Sequence, residues 1–161
     1  MDEFEGDKKK YTPKQAKLKM ESFCAYQERA QQEVRDKLYT WGLHSEDVEN
    51  IIAELITENF LNEERFAKAF VRGKFRIKKW GKVKIIQHLK AKRISSPLIK
   101  IALREIDLDE YEENLDTLIQ KKIGSQADSL SLSEKAKLMR YLQSKGYEND
   151  LIFQRLNRKN S

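Results

Sequence analysis

Basic side chains crowd one segment in the middle of the chain. Between Lys74 and Arg93, nine of the twenty residues are Lys or Arg and none is Asp or Glu. The acid-free run is longer still, because residues 65–104 contain fourteen basic residues and no carboxylate. Acidic stretches flank it, with seven acids in residues 44–64 and seven in residues 105–116. Concentrated cations bind polyanions, above all nucleic-acid phosphates, so the segment predicts an anion-binding surface.

Several of these cations recur at helical spacing. Steps of three and four residues place them on one stripe of a helix, made of Arg65, Lys68, Arg72, Arg76 and Lys79. Like charges along one stripe repel, and a solvated helix usually carries acids at i+4 that relieve this. We therefore expect an external anion, the phosphate backbone, to lie against the stripe. The neighbouring stripe of Phe66, Phe70 and Ile77 is predicted to be buried.

The predicted nucleic-acid contact surface extends from this stripe into the next helix. Its members are Arg65, Lys68, Arg72, Lys74, Arg76, Lys78, Lys79, Trp80, Lys82, Lys84, Lys90, Lys92 and Arg93. Trp80, at the elbow between the two helices, is expected to pack against the protein, although a ring there could also stack on a base. Arg76 and Lys79 are expected at phosphates, because nothing in the segment specifies a groove geometry for reading bases.

Residue types that could perform catalysis lack the partners they need. His44 and His88 have no Cys or carboxylate at metal-ligand spacing, and Cys24 lies in an apolar SFCAY stretch without an activating neighbour. Neither a phosphate-cradling GxxxxGK[ST] motif nor a dinucleotide GxGxxG motif occurs. We predict a binding protein that is not an enzyme and uses no cofactor or metal.

Composition restricts the class of protein further. The chain has 161 residues, a net charge of +6, 39% hydrophobic and 36% charged side chains, which indicates thin helical layers rather than one deep core. The single Cys24 excludes an internal disulfide and fits a reducing cytoplasm. No apolar run approaches the roughly 20 residues that span a bilayer, and residues 1–10 lack the apolar core of a secretory signal. We predict a cytoplasmic monomer without a membrane segment.

Helix signals occur along the chain, whereas strand-like alternation is nearly absent. Helix starts are predicted at Thr12, Ser45, Asn62, Ser96, Asp107 and Ser131. Long helices are expected at residues 12–27, 62–79 and 108–123. The predicted class is all-α.

An internal repeat organises these helices. Five apolar positions with offsets of 4, 5, 5 and 4 residues recur three times, at separations of 51 and 53 residues. They are Val34, Leu38, Leu43, Val48 and Ile52, then Ile85, Leu89, Ile94, Ile99 and Leu103, then Leu138, Leu142, Tyr147, Ile152 and Leu156. Directly before the third position stand Gly42, Arg93 and Gly146, where a left-handed helix end favours glycine. Arg93 must either adopt this geometry at a cost of ~1 kcal/mol or end the helix differently. The pattern predicts three tandem three-helix repeats stacked into an elongated, curved array.

Domain boundaries are predicted from this register. A tail at residues 1–10 precedes repeats at residues 11–59, 60–106 and 107–158, and a short tail follows at residues 159–161. The second repeat carries the basic segment. A Ser-rich stretch in the third repeat, residues 124–133, is predicted to be a long loop.

Residues 60–72 carry the signature of a known family. The run Phe60-Leu61-Asn62-Glu63-Glu64-Arg65-Phe66-Ala67, followed by Phe70-Val71-Arg72, resembles the aromatic-x-Asp/Asn-acidic-x-Arg-aromatic-Ala…Val-Arg signature of the RecX family. The run Trp80-Gly81…Ile85…Leu89…Lys92-Arg93-Ile94 resembles the family's glycine-x3-Ile-x3-Leu-x2-Lys-Gly-Ile segment, with Arg93 at the usual glycine. Similar signatures of the first and third repeats occur at residues 27–43 and 138–147.

The resemblance implies a regulator of the RecA recombinase, built of three tandem three-helix repeats. Family members are thought to bind in the helical groove of the RecA–DNA filament and to suppress ATP hydrolysis and strand exchange. The implied partners are the RecA filament and single- and double-stranded DNA, and the basic surface would face DNA or the filament. We further hypothesise that the acidic residues Glu110, Glu112 and Glu113 contact basic patches of RecA.

Two other classes of protein fit parts of the pattern. A helix-turn-helix DNA-binding regulator of transcription also consists of short helical units, but the stretch SSPLIKIALREI is too apolar for an exposed recognition helix. An enzyme acting on nucleic acid would need metal-binding carboxylates near the basic block, and residues 65–104 contain none.

Overall fold

α-Helices form the regular structure of the described chain. The computed structural model describes residues 10–124 and 129–157, and no strand occurs within them. The helices are α1 (Pro13–Tyr26), α2 (Gln31–Thr40), α3 (Ser45–Thr57), α4 (Glu63–Arg76), α5 (Lys82–Ala91), α6 (Ser96–Leu103), α7 (Leu108–Ile123), α8 (Leu132–Ser144) and α9 (Asn149–Leu156). The all-α class is confirmed. Except for Lys10, the predicted tails fall outside the described residues, as do residues 125–128 of the Ser-rich stretch.

Four of the six predicted helix starts carry the expected N-cap. The side-chain oxygens of Thr12, Asn62, Asp107 and Ser131 each accept a backbone N–H of the first turn. In α3 and α6 the cap lies one residue before the predicted one, at His44 and Ser95. Ser45 and Ser96 are instead the first helical residues.

α4 ends earlier than predicted, and this moves two of the predicted side chains. The helix stops at Arg76 rather than at Lys79, which adopts a left-handed conformation with φ of 55°. The Trp80 N–H closes the turn on the Lys74 carbonyl oxygen at 2.9 Å. Lys79 therefore leaves the stripe of α4. Ile77, predicted to be buried, is 80% exposed, because it lies in the turn beyond the helix face that packs on the core.

Each repeat has the same kind of turn between its second and third helices. Its left-handed residues are Gly42 (φ 83°), Arg93 (φ 61°) and Gly146 (φ 99°). The next backbone N–H reaches back five residues each time, from Leu43 to the Leu38 oxygen (3.4 Å), from Ile94 to Leu89 (3.1 Å) and from Tyr147 to Leu142 (3.2 Å). The three tandem three-helix repeats are confirmed, and Arg93 takes the conformation that glycine takes elsewhere.

Two hydrophobic cores underlie the three repeats. The first repeat has a core of its own around Trp41. The second and third repeats share one core, which includes Phe75 and Tyr147. Among the fifteen periodic apolar positions, only Leu103 and Leu156 are half-buried rather than buried. The repeat pattern therefore identifies the core, while the structure groups the last two repeats together.

The second and third repeats meet backbone to backbone at two glycines. The Gly81 N–H donates to the Lys145 carbonyl oxygen at 2.7 Å, and the Val83 N–H donates to the Gly146 oxygen at 2.9 Å. A Cβ atom on Gly81 would lie 2.2 Å from the carbonyl carbon of Gly146. We call this contact, between residues 81–83 and 145–146, the glycine junction. It leaves no room for a side chain at either glycine.

Two tyrosine hydroxyls form hydrogen bonds at the glycine junction and directly beside it. The Tyr111 hydroxyl accepts the Lys82 N–H at 2.8 Å and donates to the Glu148 carboxylate. The Tyr147 hydroxyl donates to the Lys79 carbonyl oxygen at 2.8 Å. Burial raises the pKa of both phenols, so both keep the proton that these bonds require.

The first repeat meets the second mainly through polar contacts. The Glu28 carboxylate lies 2.6 Å from the Arg65 guanidinium, and the Gln31 N–H donates to Glu63 at 3.0 Å. A longer ion pair joins Glu33 and Lys92 at 3.7 Å. Ala30, directly before α2, adds one buried side chain to the shared core.

Candidate nucleic-acid interface

Carboxylates of the protein itself neutralise most of the cationic stripe on α4. The pairs are Arg65–Glu28 (2.6 Å), Lys68–Glu64 (3.0 Å), Arg72–Glu105 (2.6 Å) and Arg76–Glu110 (3.6 Å). Lys79, beyond the helix, donates to the amide oxygen of Asn114 at 3.4 Å. The stripe therefore does not need an external anion to relieve its repulsion, and the phosphate contact expected there stays a prediction. Sequence spacing did not reveal most of these partners, because three of the four acids come from other helices or loops.

Arg65 makes several polar contacts within the protein, although its side chain is 38% exposed. Its guanidinium donates to both oxygens of Glu28 at 2.6 Å and to the side-chain oxygen of Asn59 at 3.1 Å. It also donates to the carbonyl oxygens of Asn59 at 3.1 Å and of Phe60 at 3.4 Å. Asn59 has a φ of 65°, so Arg65 fixes a strained turn between α3 and α4. The same side chain links the first repeat to the second.

Replacing Arg65 by Met is expected to lower the free energy of unfolding by about 2–3 kcal/mol. The change leaves a half-buried carboxylate and two carbonyl groups without their charged donor. Lys68→Met is the matched control on the same helix, with an expected change within about 0.5 kcal/mol, because Lys68 makes a single i,i+4 ion pair with Glu64, whose side chain is 47% exposed. Urea unfolding of both variants measures the difference. Equal small effects would contradict the structural role of Arg65.

A second set of basic residues in the same repeat has no such partners. Lys74, Lys78, Lys82, Lys84, Lys90 and Arg93 form no ion pair with any carboxylate in residues 10–124 and 129–157. Lys78, Lys90 and Arg93 are exposed, and the other three are half-buried. Lys92, by contrast, is paired with Glu33 at 3.7 Å. The uncompensated charge of the basic block is thus carried mainly by lysines near the start and end of α5.

Aromatic rings hold two of these lysines in place. The ammonium groups of Lys74 and Lys84 lie over the half-buried Trp80 ring, 4.9 Å and 4.3 Å from its centroid. The His88 ring lies 4.6 Å from Trp80 and 6.4 Å from Phe70, centroid to centroid. We call these five residues the lysine–aromatic cluster. Trp80 packs within the protein, and base stacking by its ring stays a prediction.

Lys145 of the third repeat lies close enough to Lys84 of this cluster for the two charges to interact. Its ammonium donates to the Lys78 carbonyl oxygen at 3.1 Å. Burial, together with the nearby charges of Lys84 and Lys78, lowers the pKa of Lys145. Sequence reasoning missed Lys145 because it lies 52 residues beyond Arg93, the last residue of the predicted surface. Its position directly before Gly146, at a repeat turn, was the available signal.

His88 is the titratable group at the centre of the cluster. Partial burial and the charges of Lys84, Lys74 and Lys92 lower its pKa, which favours the neutral ring at pH 7. Both histidines are exposed, but His44 lies in the first repeat, directly before α3, whereas His88 contacts the rings of Trp80 and Phe70. The two histidines therefore experience different surroundings.

The acidic residues proposed to meet a protein partner are only partly available. Glu110 pairs with Arg76 at 3.6 Å and Glu112 pairs with Arg155 at 2.9 Å. Glu113 is exposed and forms no ion pair within the described residues. One lysine of the predicted basic surface likewise has a contact within the protein: the Lys82 ammonium lies 5.1 Å from the centroid of the Tyr111 ring.

Neither a metal cluster nor a membrane-spanning helix occurs within residues 10–124 and 129–157. No group of three or more His, Cys, Asp or Glu side chains there could hold a metal ion. None of the helices described combines the length and the apolar character that crossing a membrane requires.

Family models match each of the three repeats. The model described as RecX, first three-helix domain, matches residues 16–55. The models of the second and third three-helix domains of RecX match residues 62–103 and 109–156.

Known proteins resemble the chain in sequence and in fold. It is 33% identical over 131 residues to the regulatory protein RecX of Lactobacillus johnsonii, covering 81% of this chain and 48% of the relative. It is 34% identical over 128 residues to the regulatory protein RecX of Clostridium botulinum (strain Alaska E43 / Type E3), covering 77% of this chain and 58% of the relative. The chain therefore spans about half the length of the curated relatives it matches.

A solved structure shows the same architecture. The crystal structure of RecX from Lactobacillus salivarius superposes with a TM-score of 0.77 at 24% identity, covering 90% of this chain and 96% of that one. Its likeness concerns the fold. The three domain matches and the relatives together show that this chain belongs to the RecX family.

Proposed function

We propose that this chain binds RecA filaments on DNA and limits their ATP hydrolysis and strand exchange. Membership of the RecX family supports a regulatory role, since the curated relatives are named regulatory proteins. The observation that carries the DNA contact is the set of lysines in the second repeat whose charge no carboxylate of the described chain neutralises. Such lysines attract phosphate groups, and the attraction gains free energy from counterion release.

In this proposal the protein acts as a cytoplasmic monomer without catalysis, cofactor or metal. It contacts the single- or double-stranded DNA of the filament through the basic second repeat and RecA through acidic residues of α7. Of the three acids proposed for RecA, Glu113 is the one whose charge is uncompensated, so the RecA contact rests mainly on it. The ion pairs of Arg65, Arg72 and Arg76 with carboxylates of the protein reduce the charge that these three side chains offer to DNA.

The alternative, a helix-turn-helix regulator of transcription, has less support in the structure. α6 would be the recognition helix, yet it packs along α4 and leaves few polar side chains exposed, namely Ser96 and Lys100. Reading bases in the major groove requires several polar side chains on one exposed helix face.

Hydrolysis of ATP by RecA on single-stranded DNA tests the proposal directly. Added below the stoichiometry of RecA, the protein is expected to reduce the hydrolysis rate by about fivefold or more, as for a typical allosteric coupling. An unrelated ATPase that also depends on single-stranded DNA is the control, because sequestration of DNA would inhibit both enzymes. No inhibition of RecA, or equal inhibition of both enzymes, would contradict the proposal.

A further inference from the structure

We propose that the boundary between the second and third repeats is a binding site for a phosphodiester group of a nucleic-acid strand. Lys74, Lys84 and Lys145 hold the phosphate, Trp80 positions the first two lysines, and His88 adds a proton-linked donor. This inference rests on the proposed function, because it names the residues through which DNA is contacted. It assigns the contact to lysines of two different repeats rather than to the arginines of α4.

The charge at this site distinguishes it from the rest of the basic block. No carboxylate of the described chain lies within ion-pair distance of Lys74, Lys84 or Lys145. Arg72 and Arg76 already have a carboxylate at 2.6 Å and 3.6 Å, so a phosphate there would have to displace it. A phosphate at the three lysines meets no such competition and relieves their mutual repulsion.

Trp80 gives the site a preformed geometry. Both lysine ammonium groups from the second repeat lie over its ring, at 4.9 Å and 4.3 Å. Flexible lysines lose rotamer entropy when they bind, and a cation–π contact that already restrains them reduces this loss. Trp80 is therefore a positioning residue, which acts on the phosphate through Lys74 and Lys84.

Lys145 reaches the site only because the two repeats are docked. The glycine junction brings its backbone oxygen within 2.7 Å of the Gly81 N–H, and its ammonium then reaches the Lys78 carbonyl oxygen. The Lys84 side chain lies against the next residue, since a Cβ atom added to Gly146 would be 2.3 Å from the Lys84 Cβ. Burial and then the charges of Lys84 and Lys78 lower the pKa of Lys145. An anion that contacts both Lys84 and Lys145 thereby bridges two repeats.

His88 couples the site to pH. The groups that face it are Lys74 from α4, Lys84 and Lys92 from α5 and its C-terminal end, and the rings of Phe70 and Trp80. Lys92 in turn forms an ion pair with the Glu33 carboxylate at 3.7 Å. In the free protein burial and then these cations lower the pKa of His88, whereas a bound phosphate reverses the local field and raises it. Binding therefore takes up a proton, and affinity rises as pH falls toward the pKa of the free protein.

Fluorescence anisotropy with a labelled oligothymidylate tests the site without RecA. The triple variant Lys74→Gln/Lys84→Gln/Lys145→Gln, called the junction variant below, is expected to bind about tenfold more weakly or worse. The control variant Lys14→Gln/Lys100→Gln/Lys121→Gln removes the same charge at three exposed positions elsewhere, and we expect less than about a threefold loss. Trp80→Leu is expected to weaken binding although no charge changes, with thermal unfolding checked in parallel. Equal losses for the two triple variants, or no loss for either, overturn the proposal.

The pH dependence of oligonucleotide affinity is a second test, because nonspecific attraction by surface charge would not produce it. Affinity of the unaltered protein is expected to increase about threefold between about pH 7.5 and about pH 6. His88→Gln should remove this increase and His44→Gln should retain it. If His44→Gln removes the increase, or if neither variant does, the role of His88 is overturned.

Parallel RecA assays separate this inference from the proposed function. A junction variant that loses oligonucleotide binding yet inhibits RecA normally supports the phosphate site and removes DNA contact from the regulatory mechanism. A junction variant that binds oligonucleotide normally overturns the site, whatever the unaltered protein does to RecA.

Discussion

Gly81→Ala is expected to undock the third repeat from the second and to lower the free energy of unfolding by about 3 kcal/mol or more. The added methyl carbon would lie 2.2 Å from the Gly146 carbonyl carbon and 2.3 Å from the Tyr147 nitrogen. Both contacts are with backbone, which a side-chain rotation cannot relieve. The hydrogen bonds from the Gly81 and Val83 N–H groups would be lost with the contact. Urea unfolding followed by circular dichroism measures the loss.

Gly73→Ala is the matched control for this substitution. Gly73 lies inside α4, and a methyl group on its Cα would meet no neighbouring atom within 4 Å, so alanine fits there. We expect it to be neutral or stabilising by up to about 1 kcal/mol, because alanine has the better helix propensity. If Gly81→Ala were as stable as Gly73→Ala, the close backbone approach at the glycine junction would be refuted.

Leu38→Ala and Leu89→Ala are expected to cost similar stability, about 2–5 kcal/mol each, yet to loosen different parts of the chain. Both side chains are fully buried at equivalent positions of the first and second repeats. Leu38 belongs to the separate core of the first repeat, whereas Leu89 belongs to the core that the last two repeats share. Leu38→Ala should therefore open the first repeat alone, and Leu89→Ala should open the second and third together.

The thiol of Cys24 reports on this difference. Cys24 is buried in the first core, and burial is the main cause that raises its pKa to about 11. Thiolate is therefore scarce at neutral pH, and a thiol reagent reacts only after the first repeat opens. Labelling should be much faster in Leu38→Ala and little changed in Leu89→Ala. Equal acceleration in both variants would mean that the three repeats unfold as one cooperative unit.

Local sequence rules predicted the features of the fold that depend on neighbouring residues. The spacing of apolar residues predicted the repeat, and glycine before the third apolar residue predicted the left-handed turns at Gly42 and Gly146. The sequence left open whether Arg93 adopts this geometry, and the structure shows that it does. Thr12, Asn62 and Ser131 predicted helix starts because a cap contacts only the next turn. These interactions span a few residues and need no knowledge of packing.

The same local rules could not predict contacts between residues that are far apart in the sequence. The acids that neutralise Arg65 and Arg72 lie 37 and 33 residues away along the chain, so spacing on α4 alone suggested an exposed stripe. Lys145 reaches the basic surface through the glycine junction, 64 residues after Gly81. The family signature lies in the basic second repeat, but only the three-dimensional contacts separate the basic residues that are ion-paired from those that are not.

Arg93 has a consequence for how the basic surface can change. A side chain in the left-handed region costs roughly 1–2 kcal/mol relative to ordinary helix geometry, and glycine escapes most of this strain. Glycine there would ease the bend after α5 but would delete an exposed cation. At this residue a positive charge and an unstrained backbone therefore exclude each other, and the sequence carries the charged residue.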